Sequence, residues 1–342
     1  MIGETVITIK EMAKLLGTST TTVSNVIHKK TKEVSPEMYE KISNLIEEHN
    51  YVPNINARNL ANNRSKIIGL VVRTNDNKYD NYIKDPFGGE IVGTIEKYVR
   101  ERDYFVMLYM TDDIDEIITS VSGWNIDGLI LLGIGCEEGI LLKRKIKKPM
   151  VFVDSYFGDS MMEYDNIGTD DRGGGYMITE HLLQNGHRKI AFLADNCRGV
   201  DYERFTGYKE ALSKANVSYR DDNFILLQPN RADLTMVLAE AYRRAKEFTA
   251  FVCASDFYAV HILNYLIDRG VRVPDDLSIT GFDHNEYSRI ARPILTTVAQ
   301  DVRLKAKRAV EKLFVIMGDE ESAQCLERIP VSLVVGESVK SI

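Results

Sequence analysis

An all-α N-terminal headpiece followed by a parallel α/β core built in two similar halves is the architecture this sequence predicts, and three observations predict it. Residues 7 to 27, ITIKEMAKLLGTSTTTVSNVI, place an amphipathic helix, a glycine turn and a hydroxyl-rich second helix in immediate succession. From residue 66 onward, short apolar runs of strand length alternate with helical runs, the pattern of a parallel sheet covered by helices. Between the two regions lies a short polar stretch, residues 54–65, with too few apolar residues to bury a face of its own.

Thr8 followed three residues later by Glu11 forms a capping box and fixes where helix one begins. Ile9, Met12, Ala13 and Leu16 then share one face, and Gly17 stands where a left-handed residue ends the helix. Ser19 caps a second helix that buries Val23, Val26 and Ile27 and turns Thr20, Thr21, Ser24 and Asn25 outward. A face of short hydrogen-bonding groups suits a DNA major groove, whereas a plain helical hairpin would merely solvate it. Ser35 and Pro36 open a third helix with Ile42, Leu45 and Ile46 on its apolar side. Tyr51-Val52-Pro53-Asn54 ends it, and NINARNLANN spells a short helix that is only marginally stable alone.

In the core, IIGLVV, YFVMLYM, GLILLG and MVFVDS read as strands, with EIVGTIEKYVRERD as the helix between the first two. IAFLAD, FILLQ, FVCASD and SITGFD repeat the arrangement, with ERFTGYKEALSKA and YAVHILNYLIDRG between them. Ligands of open parallel sheets bind beyond the carboxyl ends of the strands. Arg73, Asp154, Ser255, Asp256 and Asp283 occupy such ends, where caps and structural ion pairs are the competing roles.

The net charge of −7 looks wrong for a DNA binder, but it is unevenly distributed. Residues 1 to 66 hold nine Lys/Arg against seven Asp/Glu, so the acid lies in the remainder and non-specific attraction to phosphate should be modest. Cys136, Cys197, Cys253 and Cys325 are far apart with no C-x-x-C pair, which predicts buried, reduced thiols. No charged leader plus apolar run precedes the motif and no uncharged stretch is long enough to cross a bilayer, so a cytoplasmic protein with no membrane partner is expected.

The helix-turn-helix, the Y-x-P-N junction at Tyr51 to Asn54, the A-x-x-L pattern at Ala57 to Leu60 and the I-G-L-V strand together resemble the LacI/GalR family of transcriptional regulators over the whole chain. The resemblance implies a headpiece (1–53), a hinge helix and linker (54–65) and a two-lobed periplasmic-binding-protein-like core (66–342). Lobe one would span about 66–160 and 292–320, and lobe two about 161–291 and 321–342, with crossovers near Val153 to Asp165, Ile290 to Asp301 and after Gly318. It further implies a homodimer on a pseudo-palindromic double-stranded operator. Thr20, Thr21 and Asn25 would face bases, and Thr8, Ser19, Thr22 and Ser24 phosphates. His28, Tyr51, Asn54 and Ala57 belong to the same interface, and Leu60 would wedge into the minor groove.

Between the lobes the resemblance places a small-molecule effector, a sugar or sugar derivative, with Arg204 and Asp283 against its hydroxyls and Arg73, Phe87, Asp154, Ser255 and Asp256 completing the set. Three departures stand out. Phe87 is followed by Gly88 where many members carry a second aromatic, which removes one stacking surface. Ser255 replaces a common asparagine, and Asn25 a common arginine. The ending RIPVSLVVGESVKSI carries no leucine heptad, so dimers rather than tetramers are expected.

Enzymatic readings find no anchor. Gly133-Ile-Gly135-Cys-Glu-Glu-Gly139 misses the dinucleotide spacing and carries acid where phosphate would sit, and Gly173-Gly174-Gly175 reads as packing. The six histidines form no metal-ligand pairing, and no nucleophile elbow occurs, so neither cofactor nor metal is expected. A secreted sugar-binding protein or an α/β enzyme with a two-lobed core is the alternative, and the headpiece argues against both.

Overall fold

The structure is a computed structural model that describes residues 7–51, 64–74, 81–158, 163–227, 234–318 and 323–342. The chain divides into two compact units, Met1–Ser65 and Lys66–Ile342.

In the first unit, α1 (Ile9–Leu15), α2 (Thr20–Ile27) and α3 (Pro36–Glu48) surround a small core in which Met12, Val23 and Ile42 are fully buried. Local chemistry sets each boundary. The Thr8 hydroxyl accepts from the Glu11 amide at 3.2 Å, while the Glu11 carboxylate accepts from the Thr8 amide at 2.8 Å. Gly17 turns the chain at φ 61° with open space around it, Ser19 accepts from the Thr22 amide, and Ser35 caps α3 behind Pro36.

The second unit holds twelve strands in two sheets among the described residues. The first half runs β1 (Ile67–Arg73), α4 (Pro86–Arg100), β2 (Phe105–Thr111), α5 (Ile114–Gly123), β3 (Gly128–Leu132), α6 (Cys136–Lys145), β4 (Met150–Val153) and β5 (Asn166–Thr169). The second half runs α7 (Asp171–Gln184), β6 (Ile190–Ala194), α8 (Gly199–Lys214), β7 (Phe224–Leu226), α9 (Thr235–Arg244), β8 (Ala250–Cys253), α10 (Asp256–Ile267), β9 (Ser278–Asp283), α11 (Glu286–Ile290) and β10 (Thr296–Ala299). Last come α12 (Val302–Met317), β11 (Leu326–Ile329) and β12 (Ser332–Val334).

One sheet has the order β11-β5-β4-β3-β1-β2 and the other β12-β10-β9-β8-β6-β7; every pairing is parallel except β10 with β12. The sheets therefore exchange chain three times: after β5, after β10, where α12 returns to pack on β3, β4 and β5, and between β11 and β12. This corrects the lobe limits drawn from the sequence. β5 and β11, assigned there to lobe two, belong to the first sheet, and β10, assigned to lobe one, belongs to the second. The reason is that Asn166–Thr169 and Leu326–Ile329 pair with each other, residue for residue. No helix among the described residues is long and apolar enough to cross a membrane.

The triple glycine is a packing device. Gly175 of α7 meets the Arg204 backbone and Gly207 of α8 meets the Arg172 backbone, so neither site has room for a Cβ and the two helices approach backbone to backbone. That approach sets the spacing between Asp171 and Arg204. Gly207→Ala should lower core stability by about 1 to 3 kcal/mol, the usual result of overpacking. Urea unfolding followed by tryptophan and tyrosine fluorescence checks this, and an unchanged midpoint would show that the helices can separate freely.

Candidate functional site

At the headpiece, Thr20 and Thr21 stand exposed at the start of α2, as a groove-facing pair must. Thr8 and Ser19 already serve their helices as caps, and the Ser19 and Thr22 hydroxyls lie 2.9 Å apart. Ser24 is half-buried, His28 is exposed, and Tyr51 packs against the headpiece core. Asn25, read as facing outward, is half-buried, and its side-chain amide donates to Glu33 at 2.8 Å. That bond takes one of the two Nδ2 hydrogens of the side chain. Asn54, Ala57 and Leu60 lie outside the described residues.

In the core a cleft of about 1630 Å³ opens at the carboxyl ends of the strands of both sheets. Arg73, Phe87, Asp154, Arg204, Ser255 and Asp283 all line it, so six of the seven residues chosen for effector contact share one cavity. Asp256 is the exception and a correction: it is fully buried, bonded to the Thr297 hydroxyl at 2.6 Å and the Asn285 amide at 3.1 Å. A strand-end acid can turn inward to tie loops as readily as outward to a ligand.

The missing second aromatic is also present, though not where the sequence places it. Tyr82, in the short turn Tyr82–Lys84, lines the cleft beside Phe87. Its ring and backbone lie against Gly88, where a Cβ would collide with them. Gly88 thus makes room for the aromatic surface it was expected to delete.

Arg204 is held from several directions. Its Nε donates to Asp171 at 2.8 Å and its Nη1 to the Ala254 carbonyl at 2.6 Å, and the guanidinium lies 3.6 Å from the Phe282 ring. Burial works against its charge, but the carboxylates of Asp171, Asp283 and Asp201 prevail and hold its pKa above the ordinary arginine value. Asp171 is wholly buried, and its other oxygen lies 2.6 Å from the Tyr156 hydroxyl.

On the other lobe, Asp154 ends β4 with φ 54° and accepts from the Lys305 ammonium at 2.7 Å. Lys305 is 1% exposed and also donates to the Gln300 carbonyl at 2.8 Å. Gln300 passes the contact across: its amide donates to Asp283 at 2.7 Å, and its carbonyl accepts from Thr169 at 2.9 Å. Among the described residues, two buried atoms of residues that line this cleft have no protein partner, Asp154 Oδ1 and Ser255 Oγ, one from each lobe. Such buried orphans are uncommon.

Sequence reasoning missed Asp171, Gln300, Lys305 and Tyr156. Lys305 left a readable signal, since it falls with Val302, Ala306 and Ala309 on the buried face of α12. The glycine-rich run after β3 proves to be a cap: Glu138 accepts from the Gly135 amide at 3.0 Å and pairs with Arg73 at 2.7 Å. All four cysteines are free, but only Cys253 is buried and Cys197 is exposed, which corrects the expectation of four buried thiols.

Residues 8–54 match the family model described as bacterial regulatory proteins, lacI family, and residues 179–339 match a periplasmic binding protein-like domain. The chain is 31% identical over 343 residues to the HTH-type transcriptional repressor PurR of Vibrio atlanticus (strain LGP32), spanning 98% of this chain and 99% of the relative. It belongs to the LacI family. The PurR repressor of Vibrio campbellii (strain ATCC BAA-1116) is 32% identical over 344 residues, again 98% of this chain and 99% of the relative. Among solved structures, the transcriptional regulator CelR–cellobiose complex superposes with a TM-score of 0.73 at 26% identity, covering 97% of this chain and 99% of that one. The lac repressor dimer bound to operator and the anti-inducer ONPF shares the fold with a TM-score of 0.82 at 23% identity, over 98% and 100%. This LacI-family chain is a DNA-binding transcriptional regulator and not an enzyme.

Burial raises the Asp154 carboxyl above the usual carboxylate range against the opposing pull of Lys305. A raised native value means that the folded core binds a proton the unfolded chain releases near pH 4, so this group lowers stability as pH climbs past that point. Asp154→Asn removes the term. Its stability relative to the parent should therefore rise as pH climbs past about 4, measured by urea unfolding at several pH values, and a difference that falls with pH would contradict the assignment.

Proposed function

We propose that this protein is a homodimeric, cytoplasmic repressor that reads a pseudo-palindromic operator through paired α2 helices and responds to a carbohydrate bound in the interlobe cleft. The observation that carries the effector half is the pair of partnerless buried atoms, Asp154 Oδ1 and Ser255 Oγ, on opposite walls of one cavity. An unpartnered acceptor and an unpartnered hydroxyl on residues that line one polar cleft suit a ligand dense in hydroxyl groups, and Phe87 and Tyr82 add aromatic surface to the same lining. The CelR–cellobiose complex supports the same ligand class.

On the DNA side, Thr20 and Thr21 supply the exposed hydroxyls of α2, while Ser19, Thr22, Ser24 and Thr8 lie near enough to the helix starts to meet phosphates. Asn25 reads a base with its side-chain amide, and His28, Tyr51, Asn54, Ala57 and Leu60 are the further operator contacts of this reading. Effector binding favours one arrangement of the lobes and operator binding another, a coupling of about 1 to 3 kcal/mol. A flat heteroaromatic effector is a second reading, favoured by the adjacent Tyr82 and Phe87 rings.

Selection of the full chain on random duplexes should enrich two inverted half-sites, and Thr21→Ala should relax preference at one symmetric position by about 1 to 3 kcal/mol without altering headpiece circular dichroism. Enrichment of asymmetric sites would remove the dimeric reading. With the selected duplex in hand, thermal shift and fluorescence anisotropy against mono- and disaccharides and nucleobases identify the effector class. A ligand that raises core stability yet leaves operator affinity untouched would separate binding from regulation.

A further inference from the structure

The charge of the cleft narrows the ligand class. The lobe-one wall presents Asp112, Glu137, Glu138 and Asp154 against a single guanidinium, Arg73, which Glu138 already holds at 2.7 Å. The deep cation of the other wall, Arg204, is bonded to Asp171 at 2.8 Å and to the Ala254 carbonyl. An anionic group at the floor would have to strip Arg73 or Arg204 from its partner, since the third arginine of the lining, Arg198, stands at an exposed position. The floor offers the reverse. The Asp154 side chain is 9% exposed, Lys305 holds Oδ2 from behind, and Oδ1 is left buried in the cavity lining without a partner.

We propose that the effector carries a protonated amine, as amino sugars and their short oligomers do, and seats it on Asp154 Oδ1. The proposal rests on the cleft being the effector site and goes beyond it by naming the charge. A neutral hydroxyl would also donate to Oδ1. An ammonium does more, because its bond to a carboxylate is charge-assisted and about twice as strong, and Asp112 and Glu137 add attraction from the rim. Lys305 is a positioning residue here: it holds Oδ2 and so leaves Oδ1 as the unpartnered oxygen of the carboxylate, while Gln300, which accepts from the Lys305 ammonium, links the pair to Asp283 of the opposite lobe.

The test uses the full-length protein and matched pairs that differ in one group: D-glucosamine with D-glucose, D-galactosamine with D-galactose, and fully deacetylated chitobiose with cellobiose. Isothermal titration near pH 6, where the amines are protonated, should find one amine that binds at least about tenfold tighter than its hydroxyl twin. Asp154→Asn should bring that ratio to about one. Glu137→Gln, at an exposed rim position that does not bear on folding, should lower the ratio by a smaller factor. Equal or tighter binding of the neutral twin overturns the proposal while leaving a carbohydrate effector standing. Binding by no member of any pair overturns both.

Discussion

Gln300 sits at the point on which the core depends. Its one side chain touches both lobes, taking Lys305 and Thr169 on its carbonyl and giving its amide to Asp283. Beyond it, Lys305 reaches Asp154, and on the other side Asp283 lies 3.9 Å from Arg204, which is anchored on Asp171. Buried charges of this kind are costly unless each is paired, and breaking one pair is far more damaging than never having had it. The chain therefore constrains the lobes to arrangements in which all its members are satisfied at once. That requirement is what makes an interlobe cleft able to report its contents.

How the chain enters that arrangement follows from the backbone. Three exchanges between the sheets bring Thr169 and Gln300 to the hinge, and α12, which begins just after the second exchange, carries Lys305 beneath β3 to β5. Gly175 and Gly207 let α7 and α8 close on each other, so that Asp171 and Arg204, on different helices, meet at 2.8 Å. Asp154 and Asp283 both hold positive φ, a conformation costing on the order of 1 to 3 kcal/mol at residues other than glycine and tolerated mainly where function over-determines it.

The headpiece was legible because its signals are local. The Thr8–Glu11 box, the Gly17 turn and the Ser19 and Ser35 caps act within four residues, so spacing alone reveals them. Strand-end logic found Arg73, Asp154, Ser255 and Asp283 for a similar reason, since a parallel strand states where its end must be, whereas Arg204, on a helix, came from the family resemblance. What it could not reveal is which partner each would meet. Lys305 and Asp154 are 151 residues apart and Thr169 and Gln300 are 131 apart. Asp256 turned inward because Thr297 and Asn285 were there to receive it. Asn25 found Glu33 through the short turn at Thr31–Glu33, and the lobe limits shifted because strand pairing between β5 and β11 leaves no mark in either segment alone.

A double-mutant cycle between Lys305→Met and Asp283→Asn, read as core unfolding free energy, tests the lobe-crossing chain most directly. Gln300 is the side chain that bonds both residues. The chain predicts a coupling energy of about 1 kcal/mol or more that disappears when the cycle is repeated in a Gln300→Leu background. Additivity within about 0.5 kcal/mol in the native background would mean that this chain does not couple the lobes.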